Sequence, residues 1–300
     1  MFDLIATPFA YIMRLIYNFV NDYGVTIILF TILAKIILWP LNAKSQKSMA
    51  AMQKIQPQLA KLQEKYKNDK DKLGMETMKL YQDNNINPMG GCLPMLIQFP
   101  LIIAIYQVII KPITYLMNVD MSVSEIIKML QKNGFGKSLS AASQQIEVLA
   151  EVTKSGLADK IQGFVNIDFN FLGLDLSQVP QAHLGEWATN FIWIIPVLSL
   201  LSAYAMSKLS SSMNQNQSSA ANEQAQQTQK TMLLLMPLMS GYFTLILPAG
   251  VGLYWIASNI LQMVQQVVIT AKIKKEMESS DVIEDAVDVK VKNTKKKKKK

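Results

Sequence analysis

The chain has 300 residues, half of them apolar and only 17% charged, and its formal net charge is +8. A soluble domain carries about a quarter of charged residues, so this composition argues against two soluble domains. The single cysteine, Cys92, excludes an internal disulfide, and the single histidine, His183, excludes a histidine-based metal site or triad. An apolar chain with clustered positive charge is typical of an integral membrane protein.

Segment 1–23 predicts an extracellular interfacial helix rather than a signal peptide. Its polar residues recur at spacings that place them along one stripe of a helix: Asp3, Thr7, Arg14 and Asn18. No basic segment leads the apolar residues, and no small-residue cleavage site follows them. We therefore expect this helix to lie in the plane of the membrane surface.

Five apolar runs follow, and a helix needs about 20 residues to cross the hydrocarbon core. The predicted spans are 24–41, 93–110, 191–207, 231–247 and 249–269. Only Pro248 separates the last two, so we expect a tight helical hairpin there. Five core helices of a soluble protein would leave too few polar faces to meet water. The predicted fold class is an all-α integral membrane protein with five transmembrane helices.

Basic segments separate the predicted spans. Segment 42–92 predicts a basic helical hairpin, 208–230 a mobile polar linker, and 270–300 a disordered basic tail that ends in six lysines. Together these three segments hold 22 basic residues. Because positive charge is retained inside, we expect them in the cytoplasm of a bacterium, with the N-terminus and the cap loop 111–190 outside the plasma membrane.

Lys35 lies inside the first predicted span, where a lysine costs roughly 2.5–3.5 kcal/mol on insertion scales. One interpretation is a side chain that snorkels to the headgroups, since Leu41 is about 9 Å away at 1.5 Å per residue. None of the five predicted spans contains Asp or Glu, so no carboxylate within them balances the charge. An unbalanced cation in a membrane indicates water, lipid phosphate or a transient acidic ligand.

Polar residues of the other spans favour a hydrated concavity around Lys35. Singly, each is typical of a helix–helix contact, but the set beside an unbalanced cation predicts a groove. The predicted groove residues are Lys35, Thr31, Gln98, Ser240, Thr244, Tyr254, Trp255, Ser258 and Gln262.

Several sequence blocks resemble the YidC/Oxa-type membrane protein insertases, in family order over most of residues 1–275. They include KIILWPL at 35–41, NPMGGCLP at 87–94 followed by QFP at 98–100, FLGLDL at 171–176, and LPAGVGLYW at 247–255. A further pair of blocks in the hairpin, IQP at 55–57 and LQEKY at 62–66, is also similar. The absence of a large insert before the first span resembles the short form found in Gram-positive bacteria.

The resemblance implies a hydrophilic groove that opens to the cytoplasm and to lipid and is closed on the outer side. Members of the family help proteins with short translocated tails to enter the bilayer, alone or with the Sec translocon. The implied partners are nascent membrane proteins and the Sec translocon. Lys295 to Lys300 form either a solvated tail or a site for ribosomal RNA or anionic lipid, and we expect binding because dense lysine attracts phosphate. The basic hairpin also attracts anionic lipid. The groove cation of the family is usually arginine, and Lys35 in its place keeps the charge but loses the planar fork.

Two other functions compete with an insertase and folding chaperone. A channel or secondary transporter would also explain polar spans, but its paired acidic residues, inverted repeats and glycine-broken helices are not seen. An intramembrane enzyme would need a paired Asp, a Ser–His pair or a metal cluster within the spans, which the sequence lacks. We therefore predict an insertase without catalytic residues, metal or cofactor.

Overall fold

The computed structural model describes residues 2–87, 93–139, 145–186, 189–214 and 223–297. This part of the chain is mostly helical, which confirms the predicted class at that level. The α-helices are α1 (Phe2–Val20), α2 (Tyr23–Ile37), α3 (Trp39–Lys54), α4 (Gln56–Lys65), α5 (Lys70–Asp83), α6 (Leu93–Ile110), α7 (Pro112–Tyr115), α8 (Val123–Lys132), α9 (Gln145–Ser155), α10 (Ile194–Asn214), α11 (Glu223–Ile246) and α12 (Ala249–Lys297).

Helix α1 packs against α6 and α2 and buries one apolar stripe, Ala10, Met13 and Tyr17. The chain then reverses at Asn21, whose φ of +54° is a left-handed conformation that asparagine tolerates. Asp22 caps α2 by accepting a hydrogen bond from the Val25 N–H at 2.8 Å. These two residues fix where the first predicted span begins.

The first predicted span, 24–41, is not one straight helix. Helix α2 ends at Ile37, and α3 begins at Trp39 with a bend of 57° between them. Pro40 lies in the first turn of α3. Proline lacks an N–H, and its ring clashes with the carbonyl four residues earlier, that of Ile36, so the sequence itself ends α2 there. The predicted span 24–41 therefore contains this bend, and its boundaries stay a prediction.

Helix α3 continues into the basic segment, where α4 and α5 pack against each other. Asp69 begins α5 by accepting a hydrogen bond from the Lys72 N–H at 3.0 Å. Residues 88–92, which carry most of the NPMGGC motif, lie outside the described residues.

In the described part of the chain, one helix, Phe191–Ser212, is long and apolar enough to cross a membrane, and the bent pair α2–α3 is a second candidate if it forms one span. The shorter apolar helices Pro100–Ile110 and Leu234–Ile246 lie within two further predicted spans. The count of five spans stays a prediction.

The predicted linker and tail differ from the observed helices. Helix α10 extends to Asn214 and α11 begins at Glu223, so both enter the predicted linker 208–230. Helix α12 runs to Lys297, where the sequence predicted a disordered tail over 270–300. The chain has no Gly or Pro after Gly252, so no residue type that breaks helices ends α12.

The predicted cap segment 111–190 contains α7, α8, α9 and a small β-hairpin, and the all-α prediction did not include this hairpin. Strands β1 (Asn170–Phe171) and β2 (Leu174–Asp175) pair antiparallel, with Phe171 opposite Leu174. The backbone after β2 accepts the first N–H groups of α12: Ala249 donates to the Gln178 carbonyl and Gly250 to the Leu176 carbonyl, each at 2.8 Å. The cap thus satisfies donors that a helix start leaves open.

Candidate substrate site

Besides its apolar core, the helical bundle buries several polar side chains, and it exposes many large apolar ones. Among the described residues, the buried polar set is Thr26, Thr31, Lys35, Asn42, Ser45, Ser199, Ser240, Thr244, Ser258, Gln265 and Gln266. Helix α10 and the turn before it expose large apolar side chains at helical spacing, namely Phe191, Ile194, Val197, Leu201 and Tyr204. Such a surface fits hydrocarbon better than water, and its polar interior is typical of contacts between membrane helices.

Lys35 lies in the last turn of α2 and is 8% exposed. Its Nζ donates a hydrogen bond to the Oε1 of Gln262 on α12 at 3.0 Å. Because the amide is neutral, this contact solvates the ammonium without balancing its charge. The carboxyl end of a helix also favours a cation, which helps to explain why a lysine is tolerated at this position.

An amide network continues from Lys35 and joins three helices. Gln265 of α12 donates to the backbone carbonyl of Lys35 at 2.8 Å, and Asn42 of α3 donates to the Oε1 of Gln265 at 3.2 Å. Ser45 lies one turn after Asn42, and its buried hydroxyl has no hydrogen-bond partner among the described residues. The buried surface of α3 therefore carries one polar group whose hydrogen bond is unmade, next to the amide network.

The sequence predicted Lys35, Thr31 and Gln262 but missed Asn42 and Gln265. Asn42 was assigned to the cytoplasmic hairpin because the bend after α2 was not predicted. Gln265 follows Gln262 by three residues on the same helical face, so the periodicity carried a signal for it. Thr31 is buried, and its hydroxyl donates to the Ile27 carbonyl of its own helix at 2.6 Å.

A second polar contact joins α6 and α12. The Nε2 of Gln98 donates to the hydroxyl of Tyr254 at 2.7 Å, and Tyr254 is 1% exposed. Ser258, one turn along α12, is buried and also hydrogen-bonds to Tyr254. These three predicted residues meet one another on the helix that also carries Gln262.

The remaining predicted residues meet elsewhere. The hydroxyls of Ser240 and Ser199 lie 2.8 Å apart between α11 and α10, and Thr244 donates back to the Ser240 carbonyl at 2.9 Å. The Trp255 ring stacks on Phe243 with centroids 6.2 Å apart. This geometry is that of helix–helix contacts, and a substrate role for these residues stays a prediction.

A pocket of about 340 Å³ lies within the predicted cap segment 111–190. It lies between α9 and residues 166–177, with Lys154, Asp168 and Asp175 among its lining residues. No three potential metal-ligating side chains cluster within the described ranges.

Comparison with known proteins places the chain in a family. The sequence profile of the 60Kd inner membrane protein family matches residues 15–276. A membrane protein insertase YidC from Clostridium perfringens is 34% identical over 243 residues, which are 81% of this chain and 76% of that protein. A YidC from Syntrophobacter fumaroxidans is 31% identical over 265 residues, but the match covers 88% of this chain and only 37% of that longer protein.

A crystal structure of an active YidC insertase with its first transmembrane domain resolved is 20% identical, with a TM-score of 0.49 over 88% of this chain and 46% of that one. The profile match and the sequence identities confirm the resemblance drawn from the sequence blocks. The chain therefore belongs to the 60Kd inner membrane protein family, together with proteins named membrane protein insertase YidC.

Proposed function

We propose that this chain is a membrane protein insertase and folding chaperone of the bacterial plasma membrane. Its clients are nascent membrane proteins with short polar or acidic tails, and it acts without a covalent step. Family membership supports the activity, and the exposed apolar face of α10 supports the location. The proposed topology has five spans, with the N-terminus outside and the C-terminus in the cytoplasm, as the distribution of basic residues favours.

One observation carries the mechanism. Lys35 is buried between α2 and α12, and the hydrogen-bond acceptor that its ammonium contacts is the neutral amide of Gln262. Two opposite charges 4 Å apart attract by about 4 kcal/mol at an effective dielectric constant of 20. A client carboxylate that takes the place of the Gln262 amide oxygen beside the ammonium would therefore gain an electrostatic attraction that the neutral amide does not supply.

The client tail enters from the cytoplasm, and its carboxylate approaches Lys35. The amides of Gln262, Gln265 and Asn42 replace part of the water that the tail loses. The apolar segment of the client then moves into lipid along the exposed face of the bundle. This step is driven by burial from water, worth about 25 cal/mol per Å².

Three further partners follow from charge and family. The basic segments attract anionic lipid at about 1 kcal/mol per lysine near the surface. We propose that the ribosome contacts Lys295 to Lys300, because dense lysine attracts the phosphates of RNA. Cooperation with the Sec translocon is proposed from the family resemblance alone.

The test is complementation of a strain depleted of its own insertase with Lys35→Ala, Lys35→Glu and Lys35→Arg variants. Insertion of an acidic-tailed client is followed by protease protection. We expect Lys35→Glu to lower the insertion rate at least about tenfold, since the change removes an attraction and adds a repulsion worth more than about 1.4 kcal/mol. Lys35→Arg should retain most of the rate.

A neutral-tailed version of the same client is the substrate control, and Lys44→Glu, at an exposed position of α3, is the matched charge reversal. Equal insertion of the acidic client by Lys35→Glu and the parent chain would contradict the electrostatic step. If Lys35→Ala is normal while Gln262→Leu is defective, polarity rather than charge carries the effect.

A further inference from the structure

The outer end of the molecule exposes a bulky apolar side chain in an unfavourable backbone conformation. Leu172 lies at the tip of the β1–β2 hairpin with a φ of +53°, and Gly173 follows at +81°. A two-residue loop with both φ angles positive favours Asn-Gly, because a branched side chain clashes with the backbone there. The Leu172 side chain is nevertheless 87% exposed, so packing within the chain does not compensate for this strain.

The hairpin lies at the level where the first predicted span begins. The ring of Phe171 fills the space against Gly24, at the start of α2, and leaves no room for a Cβ on that glycine. On its other side, β2 contacts the turn Phe191–Trp193 that leads into α10. Leu172 is therefore held next to the outer ends of two helices that the membrane proposal places in lipid.

Two exposed aromatic residues come from the segments that directly precede α2 and α10. Phe19, in the last turn of α1, is 92% exposed, and Phe191, directly before α10, is 58% exposed. Phe191 continues the exposed apolar stripe of α10 by one helical turn beyond Ile194. Isolated apolar residues on a surface are common, but these three lie at the end of the bundle where α2 and α10 begin.

We propose that Phe19, Leu172 and Phe191 insert into the outer leaflet and hold the cap on the bilayer. The ligand is lipid at the acyl–headgroup boundary, where apolar wedges of this kind gain burial. Lipid contact explains why an apolar residue is kept at a strained position that suits a polar one. The proposal rests on the membrane location given above, but it concerns a surface that plays no part in the groove mechanism.

The test places an environment-sensitive fluorophore on single cysteines in a Cys92→Ser background, reconstituted in vesicles of phosphatidylethanolamine and phosphatidylglycerol. The positions are Leu172→Cys, Leu201→Cys on the exposed face of α10, and Gln162→Cys at an exposed site of the cap. We expect residue 172 to resemble 201, with emission shifted to shorter wavelength and several-fold weaker quenching by iodide than at residue 162.

The controls separate two failures. If residue 201 itself reports water, the membrane location in the proposed function is wrong. If 201 reports lipid while 172 is quenched like 162, the outer-leaflet contact alone is wrong.

A second measurement avoids the cysteine background and identifies the contacting molecule. A benzophenone amino acid replaces Leu172 in the otherwise unaltered chain, which is irradiated in the same vesicles and analysed by mass spectrometry. Phospholipid adducts support the proposal. The same amino acid at residue 162 is the control. The proposal is wrong if adducts form only with protein, a second copy included, or if residue 172 gives no more phospholipid adducts than residue 162.

Discussion

Gln265 joins more helices than any residue that the sequence alone had selected for the groove. Its side chain donates to the Lys35 carbonyl and accepts from Asn42, so one amide links α12 to both α2 and α3. We expect Gln265→Leu to lower the free energy of unfolding by about 1–2 kcal/mol, because it leaves buried polar groups without partners. Denaturation in detergent by SDS measures the change.

Val264→Leu, at the neighbouring exposed position of α12, controls for added apolar volume. Equal stability of the two variants would show that the amide of Gln265 contributes no net stability to the bundle.

The ring of Phe171 occupies the space that a Cβ at position 24 would need, so only glycine fits there. Gly24→Ala should destabilise the fold by about 1–3 kcal/mol, as overpacking does, and should loosen the cap from α2. The thermal unfolding midpoint measures the loss.

Gly74→Ala in α5 is the matched control, since nothing lies within 4 Å of the added Cβ. There the substitution should stabilise by about 0.5–1 kcal/mol through helix propensity alone. If Gly24→Ala is as stable as the parent chain, the packing explanation is wrong. It is also wrong if Gly24→Ala destabilises the chain equally in a Phe171→Ala background.

At this scale the sequence predicted the residues whose chemistry conflicts with their surroundings. Lys35 conflicts with hydrocarbon, and the structure does bury it. Gln262 shares a helical face with other polar residues, and the structure places its amide oxygen on Lys35. Asn42 gave no such conflict, because the sequence placed it in water; only the bend of the chain brings it to Gln265.

Helix α8 depends on a capping box whose strength varies with pH. Ser122 accepts a hydrogen bond from the Glu125 N–H, while the Glu125 carboxylate accepts from the hydroxyl and the N–H of Ser122. These bonds hold the pKa of Glu125 below its ordinary value of 4.5. A lowered folded-state pKa means that the stabilisation is complete above the ordinary pKa and is lost as pH falls through the lowered one.

We expect hydrogen exchange of α8, corrected for intrinsic rates, to accelerate as pH falls below the ordinary pKa of 4.5. Ser122→Ala should accelerate exchange already at neutral pH and raise the pKa of Glu125 towards its ordinary value. Glu125→Gln keeps the acceptor geometry without the titration, so an unchanged pH dependence in that variant would contradict this assignment.

Element boundaries were the part that the sequence predicted least well. Pro40 does end α2, but the apolar residues around it continue without interruption, so hydropathy extended the span past the bend. The β1–β2 hairpin has Leu-Gly rather than Asn-Gly in its loop, and the usual turn signal was therefore missing. The charge of segment 270–300 predicted disorder, but the segment has no Gly or Pro to end the helix, and α12 continues to Lys297.

For the whole molecule, the bundle and the basic end of α12 should be separable. Among the described side chains, Ile273 is the last on α12 that is buried. We expect deletion of residues 276–300, which removes Lys295 to Lys300, to weaken salt-sensitive binding to ribosomes and anionic vesicles and to leave the unfolding midpoint unchanged. Co-sedimentation at increasing salt measures both partners.

Replacement of the six lysines from Lys295 to Lys300 by glutamine tests charge without shortening the chain. If that variant co-sediments with ribosomes as well as the parent chain does, the proposed ribosome contact is wrong.

The short α2 has a consequence for the barrier that a client tail meets. Its 15 residues cover about 22 Å at 1.5 Å per residue, whereas hydrocarbon is about 30 Å thick. On the proposed topology α2 alone falls about a quarter short of the full depth, so the crossing is completed either by α3 beyond the 57° bend or by thinner lipid beside Lys35. With thinner lipid, headgroups and water stand closer to the bilayer centre, and a charged group crosses a lower electrostatic barrier even before it reaches the lysine.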